Sequence, residues 1–283
     1  MRRKNKLNFS SERQTKAKRT RAFVLSFVAF ILVFGSVSLL VFMKSLDFDL
    51  QNLVKKPDSP SASAETTAAE TMPIKLSDTN VLLVCSGGNK QLSLLALVSA
   101  HAESESITVS AIDPMHILHT ETAVGQNFQS VFESQGLAGL KKAVASEYDL
   151  PIHRYIQVTE SNLKKAISTV GDISLHVPQS VQYRGTDFSL YLDSGEQRLT
   201  GDLFTKYLQY VDLNGKTAAA SALVKTVLFS FGENNREKLF NTLFNLSDTD
   251  FSVVDCSDSS GAVNVFLHMR NNIQTADLPI AKE

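Results

Sequence analysis

Residues 212–221 read DLNGKTAAAS, and their Gly215-Lys216-Thr217 core is how a phosphate-gripping loop would end. Such a loop curls consecutive backbone N–H groups around phosphates, and it needs a first glycine five residues before the Gly-Lys pair, following a buried strand. Tyr210 stands at that position, and Phe204, Tyr207, Leu208 and Val211 before it have helical spacing. No nucleotide site is expected. Ser161-Asn162-Leu163-Lys164 fits the Ser-x-x-Lys nucleophile pattern of penicillin-binding enzymes, but the companion Lys-Thr-Gly and Ser-Asp-Asn motifs are missing. Ser161 is better placed in the first turn of a helix capped by Thr159. His116 and His119 have the i, i+3 spacing of a metal pair; a zinc site wants at least three protein ligands and no third is evident, so no metal is predicted. Cys85 and Cys256 both lie in apolar, strand-like stretches and read as small buried residues. Whether they pair is left open.

Any such chemistry must be placed on one side of a membrane. Ala22 to Met43 contains no Asp, Glu, Lys, Arg, His, Asn or Gln, and at about 1.5 Å per residue it reaches roughly 33 Å, enough to span a bilayer. Before it stand Arg2, Arg3, Lys4, Lys6, Arg13, Lys16, Lys18, Arg19 and Arg21 against Glu12 alone, an excess retained on the cytoplasmic side. A cleaved signal peptide would have a shorter apolar stretch followed by small residues at the cleavage site. An uncleaved anchor with the remainder of the chain outside the cytoplasm is the expected arrangement. Removing the +8 of residues 1–21 from the formal charge of −1 leaves −9 outside. That balance opposes non-specific nucleic-acid binding, which needs a basic surface, and neither nucleic acid nor nucleotide is an expected partner.

Residues 44–76 are rich in Ser, Thr, Ala, Glu and Pro, too poor in apolar surface to offset ordering entropy, and read as a flexible stalk. A domain at 77–270 follows, with a tail at 271–283. Strands are expected at 80–85, 93–99, 106–112, 153–158 and 172–177, and an extended region at 186–193. A helix at 136–148 carries Leu137, Leu140, Val144 and Tyr148 on one face. Another begins at the Thr159 cap, buries Leu163, Ile167 and Val170, and stops at Gly171. Helices near 201–211, 216–230 and 235–246 precede two further expected strands at 251–256 and 262–268. This alternation predicts an α/β class domain, a sandwich with helices on both sheet faces.

Five stretches carry a family resemblance. Leu150-Pro151-Ile152-His153-Arg154-Tyr155-Ile156-Gln157-Val158, then Leu163-Lys164-Lys165, then Val170-Gly171-Asp172-Ile173-Ser174-Leu175-His176-Val177-Pro178 resemble the strand, helix and "GGVxVxVP" strand in the middle of a LytR-CpsA-Psr domain. Leu192 to Asp202 is similar to that family's "G-x-x-x-L-x-G-E-x-A" segment, and Asn80 to Ser86 to its first strand. The resemblance covers most of 80 to about 230. It implies an extracytoplasmic, cell-envelope protein with a mixed-sheet α/β/α sandwich behind one transmembrane helix. It further implies glycopolymer transfer from a polyprenyl pyrophosphate carrier to peptidoglycan with Mg²⁺, which needs carboxylates, arginines and an apolar slot for the lipid.

The charged part of that pattern is missing. The family's Arg-x-Asp-Thr aligns with Lys90-Gln91-Leu92-Ser93, and its "S-I-P-R-D" with Ala111-Ile112-Asp113-Pro114-Met115, without the arginine. Its "Y-x-R-x-R" aligns with Tyr207-Leu208-Gln209-Tyr210-Val211, both arginines replaced, and its "R-x-x-R-Q" falls in 215–222 with Lys216 alone. Lysine supplies a point charge but not the bidentate fork of arginine. The expectation is therefore a membrane-anchored envelope protein whose domain has lost transferase chemistry and serves as a binding or regulatory module, with no catalytic or metal residues and no cofactor. Its expected partners are the membrane and a polyprenyl-linked glycopolymer or cell-wall component. The alternative is a working phosphotransferase with Mg²⁺, in which Lys90, Asp113, Lys206, Lys216 and Lys225 converge on the pyrophosphate. A third reading is a scaffold protein of unrelated fold, which strand order separates from the other two.

Overall fold

Two strands in the middle of the sheet are apolar along nearly their whole length, β1 (Thr79–Ser86, TNVLLVCS) and β2 (Leu92–His101, LSLLALVSAH), because both faces of the sheet are covered there. The computed structural model describes residues 76–119, 125–232, 235–258 and 260–278, all inside one compact unit, Ala69–Glu283. The expected tail (1–21), membrane span (22–43) and stalk (44–76) lie outside the described residues, apart from Leu76. Among the described residues no helix is long and apolar enough to cross a membrane.

The six-stranded sheet has the order β10-β3-β2-β1-β4-β9. β3 (Ser106–Ala111) and β1 both run antiparallel to β2, while β4 (Arg154–Thr159) lies parallel to β1 with Leu83 opposite Ile156. β9 (Asp248–Thr249) closes one edge and β10 (Ile273–Thr275) the other. Two antiparallel ribbons stand apart, β5 (Ile173–Val177) with β8 (Gly195–Leu199), and β6 (Val181–Arg184) with β7 (Ser189–Leu192). The expected mixed α/β sheet is thus found, and the extended region at 186–193 is the β7 arm of a hairpin.

Alternate side chains feed opposite cores, as the two-residue strand period requires. Leu82, Val84, Leu95 and Leu97 pack on one face against α1 (Phe128–Glu147), through Phe128, Val131, Phe132, Leu140 and Val144. Val81, Leu83, Leu94, Ala96 and Val98 face the other way, into a core shared by α2 (Glu160–Val170), α3 (Gly201–Tyr210), α4 (Leu213–Ser230) and α7 (Ala262–Met269). α5 (Arg236–Asn245) and α6 (Val253–Ser257) add a satellite cluster around Phe231, Leu239 and Phe240.

Local sequence explains the helix limits that place the site. The Thr159 hydroxyl accepts the Asn162 N–H at 3.3 Å to start α2, Leu163 and Ile167 are buried, and Gly171 ends the helix at φ 106°, a conformation open to glycine. Gly201 opens α3 against the backbone of α2. A Cβ there would stand 2.7 Å from Lys164 Cα, so only hydrogen fits.

Three expectations change. α1 begins at 128, earlier than the expected 136, because Asn127 caps the first turn and Gly136, at φ 67°, kinks the helix without ending it. Residues 251–256 and 262–268 were expected as strands but carry α6 and α7. In α7 the residues buried are Ala262, Val265, Phe266 and Met269, a helical stripe that outcompetes the alternation of Val263, Val265 and Leu267. The edge strand on that side is β10, drawn from the segment read as a C-terminal tail.

Candidate functional site

The carboxyl ends of β1, β3 and β4 meet at one edge of the sheet, the usual ligand side of an open α/β sheet. The turn after β1 is held by Gly87 N–H to the Gln91 carbonyl at 2.8 Å, and Lys90 takes a left-handed φ of 63° within it. Gln129 on α1 fixes this turn from behind. Its Oε1 accepts the Leu92 N–H at 2.8 Å and its Nε2 donates to the Lys90 carbonyl at 3.2 Å. The Lys90 side chain is left exposed.

Beyond β3, Asp113 Oδ1 accepts the Met115 N–H at 2.9 Å, and the Asp113 carbonyl accepts the His116 N–H at 3.1 Å. The carboxylate therefore shapes a tight turn while remaining exposed. α4 docks beside it, since Thr217 Oγ1 accepts the Ala111 N–H at 3.2 Å. This contact brings Lys216 towards Asp113. Burial pushes the half-buried Lys216 ammonium below its ordinary pKa, and the Asp113 charge partly restores it.

The Gly215-Lys216-Thr217 sequence lies in the first turns of α4, with the Gly215 N–H spent on the Asp212 cap at 2.9 Å and a helix before it instead of a strand. A phosphate cradle cannot form there.

The other expected residues do not join this pair. Lys206 and Lys164 both grip Asp202, each at 2.7 Å, and these two lysines, Lys164 first, hold the Asp202 carboxyl below its ordinary pKa. Lys225 is exposed and stands nine residues beyond Lys216 on α4, roughly 13 Å along the axis. Of the five residues, Asp113 and Lys216 come close enough to interact through their charges, Lys90 is on the same edge of the sheet, Lys206 is committed to Asp202, and Lys225 stands farther along α4.

The Gln209 Nε2 donates to Glu160 Oε1 at 3.0 Å, and that same oxygen lies beside Gly87. A neutral amide thus meets this carboxylate. Sequence reading did not single out Glu160, which looks like an ordinary first-turn helix acid.

Between β1, β2 and β4 on one side and α2, α4, α5 and α7 on the other lies a cavity of about 210 Å³. Its lining is apolar almost throughout, including Leu83, Val158, Leu163, Ala166, Val227 and Phe240. No periodicity in the sequence announces it, because its lining comes from eight separate elements and the loops between them.

A second cluster lies on the opposite side of the sheet. His116 Nε2 is 3.0 Å, and His119 Nδ1 3.1 Å, from Glu147 Oε1, while the His119 N–H donates to Glu147 Oε2 at 3.0 Å. Burial pushes the Glu147 carboxyl up, but the His116 hydrogen bond and those of the His119 backbone and ring outweigh it and hold the pKa below its ordinary value. Glu147 is the third ligand-type residue that the histidine spacing lacked; it lies 28 residues beyond His119 and is concealed at the end of an amphipathic helix.

Cys85, inside β1, and Cys256, in α6 and not in a strand, are both free. Desolvation drives the Cys85 thiol up to about 12, which leaves it inert.

A mixed sheet flanked by helices, with a polar strand-end edge and an apolar cavity under the helices of one face, defines the class of this domain. The family model for LytR_cpsA_psr matches residues 73–215, just over half of the chain. The chain belongs to the LytR-CpsA-Psr family of cell-envelope proteins. Its fold is similar to a solved putative transcription regulator from Eubacterium siraeum, at TM-score 0.61 and 20% identity over 78% of this chain and 90% of that one. It is also similar to TagV of B. subtilis, at 0.59 and 15% over 72% and 85%. A LytR-Csp2A-Psr enzyme from Actinomyces oris matches at 0.58 and 15% over 71% and 80%. These likenesses establish the fold. No curated protein sequence matches the chain.

Proposed function

We propose that this protein is a membrane-anchored envelope component that holds the apolar tail of a polyprenyl-linked cell-wall intermediate without transferring its glycopolymer. The observation that carries the proposal is the apolar cavity, and the reading is supported by a sequence that offers Gln209 and Lys216 where the family resemblance implies arginines. Hydrophobic burial is worth about 0.8 kcal/mol per methylene, so a short buried stretch of tail suffices for binding without head-group contacts. The cavity is smaller than the roughly 300 Å³ or more of a drug-sized pocket, so it suits part of a chain and not chain and headgroup together. The anchor at 22–43 would bring this cavity to the surface where such lipids reside.

Transfer would ask for a cation-neutralised pyrophosphate. Of the four lysines available for it, Lys206 is paired with Asp202 and Lys225 stands nine residues beyond Lys216 on α4, roughly 13 Å along the axis.

The cavity is tested by Ala166→Phe, which places a ring in it from α2. Binding of a polyprenyl phosphate to the full chain in detergent should weaken about tenfold or more, corresponding to roughly 1.4 kcal/mol or more. Unchanged binding, with the fold intact by circular dichroism, would place the lipid elsewhere and reject the reading.

A further inference from the structure

Glu147 is a carboxylate in an uncomfortable place. It is 5% exposed and sits in the last turn of α1, where the helix dipole is itself negative. A buried carboxylate there demands positive charge, and among the described residues no lysine or arginine forms an ion pair with it. What it has instead is two imidazoles aimed at one oxygen. Glu147 Oε2 is taken by the His119 N–H, which fixes the carboxylate and leaves Oε1 directed between His116 Nε2 and His119 Nδ1.

We infer that His116, His119 and Glu147 form a binding site for a divalent first-row metal of the zinc type. The three donor atoms all lie within 4.8 Å of one another. Ligands held at about 2.0–2.1 Å by a tetrahedral ion sit roughly 3.3 Å apart, so the observed separations of 3.0 and 3.1 Å ask for little movement. Two imidazoles and one monodentate carboxylate match the three-ligand open zinc arrangement. Magnesium, which prefers an all-oxygen octahedron, is not suited.

The frame around the ligands is built to hold one orientation. The His116 ring stacks on Phe128 at 5.9 Å and on Tyr148 at 6.3 Å, so its plane is fixed by two aromatic neighbours. His119 is 75% exposed, which leaves the remaining coordination position open to solvent. The backbone N–H of His119 plays the part that outer hydrogen bonds commonly play in metal sites, orienting a ligand carboxylate. A metal here would staple the 112–119 loop to the end of α1 and so fix the turn that carries Asp113. The inference is independent of lipid binding, since the cluster lies on the other face of the sheet from the cavity.

The test uses the full chain in detergent, stripped with a chelator and titrated with ZnCl₂ by calorimetry, with CoCl₂ as a visible-absorption probe. One zinc per chain should bind, cobalt should give the d–d bands of a four- or five-coordinate site, and excess MgCl₂ should displace neither. His119→Ala and Glu147→Gln should each weaken zinc binding by at least about tenfold, the lower end of what loss of even an outer hydrogen bond costs such sites. If Glu147→Gln fails to fold, the largely exposed His119 carries the test alone. Absence of stoichiometric zinc binding, displacement by magnesium, or unaltered affinity in folded His119→Ala would overturn the assignment.

Discussion

The two faces of the central sheet solve the same covering problem differently. One face is closed by a single 20-residue helix, α1, whose Phe128, Val131, Leu140 and Val144 fill the space over Leu82, Val84, Leu95 and Leu97. The other is roofed by several shorter helices, and where α2, α4 and α5 splay over β1, β2 and β4 they leave an apolar hollow. Close packing is the default of protein interiors, and an unfilled apolar volume forfeits dispersion contacts. The contrast teaches that the hollow is a cost borne on one face of the sheet alone, and the proposed lipid site is centred there.

The largest effect should come from emptying the filled face. Phe128→Ala removes a fully buried ring from under α1 and should destabilise the fold by about 3–5 kcal/mol in a denaturant titration. A loss below about 1 kcal/mol would mean that α1 is not closely packed and would dissolve the contrast. On the roofed face the sharpest probe is Gly201→Ala. Its Cβ would meet the Lys164 backbone at 2.7 Å, so α3 must slide away from α2, at about 1–3 kcal/mol. No change would show that these two helices are free to separate and that the cavity roof is soft.

Acid should probe both faces more gently. Asp255 in α6 is buried, which pushes its carboxyl up, but the Arg154 guanidinium on β4 and the Ser252 N–H and hydroxyl outweigh that and hold it below its ordinary value. A carboxyl depressed in the folded state stabilises fully above its unfolded pKa and loses that contribution as pH falls through the folded value. Unfolding stability should therefore drop below about pH 4, and Asp255→Asn should flatten that limb. Some acid sensitivity should remain in the variant, because Glu147 on the opposite face is held below its ordinary value in the same sense. An identical acid limb in the variant would remove Asp255 from the account.

The sequence carried the framework well where one period was clear. β1 to β3, the Thr159-capped α2 and the helical trio from 201 to 245 follow from patterns of apolar residues and their punctuation. It carried the C-terminal part poorly, since in 262–269 the same apolar residues satisfy both a two-residue and a helical period and only tertiary burial decides between them. The site was legible as residue types and not as geometry. Lys216 comes within reach of the Asp113 charge, but Lys206 is diverted by Asp202, its i, i+4 neighbour on α3, and Glu160 acquires Gln209 through the packing of α2 on α3, which no local spacing reveals. The cavity and the Glu147 cluster were hidden for the same reason, as each assembles residues distant in sequence.

The central claim is that a lipid-holding domain remains where the ionic transfer chemistry has gone. The most direct measurement follows release of the carrier when the full chain is given a polyprenyl-pyrophosphate-linked glycopolymer and peptidoglycan, with Mg²⁺ or with a chelator. The account predicts saturable carrier binding of equal strength in both conditions and no release of the carrier. Release that requires Mg²⁺ would contradict it and make this protein a working transferase.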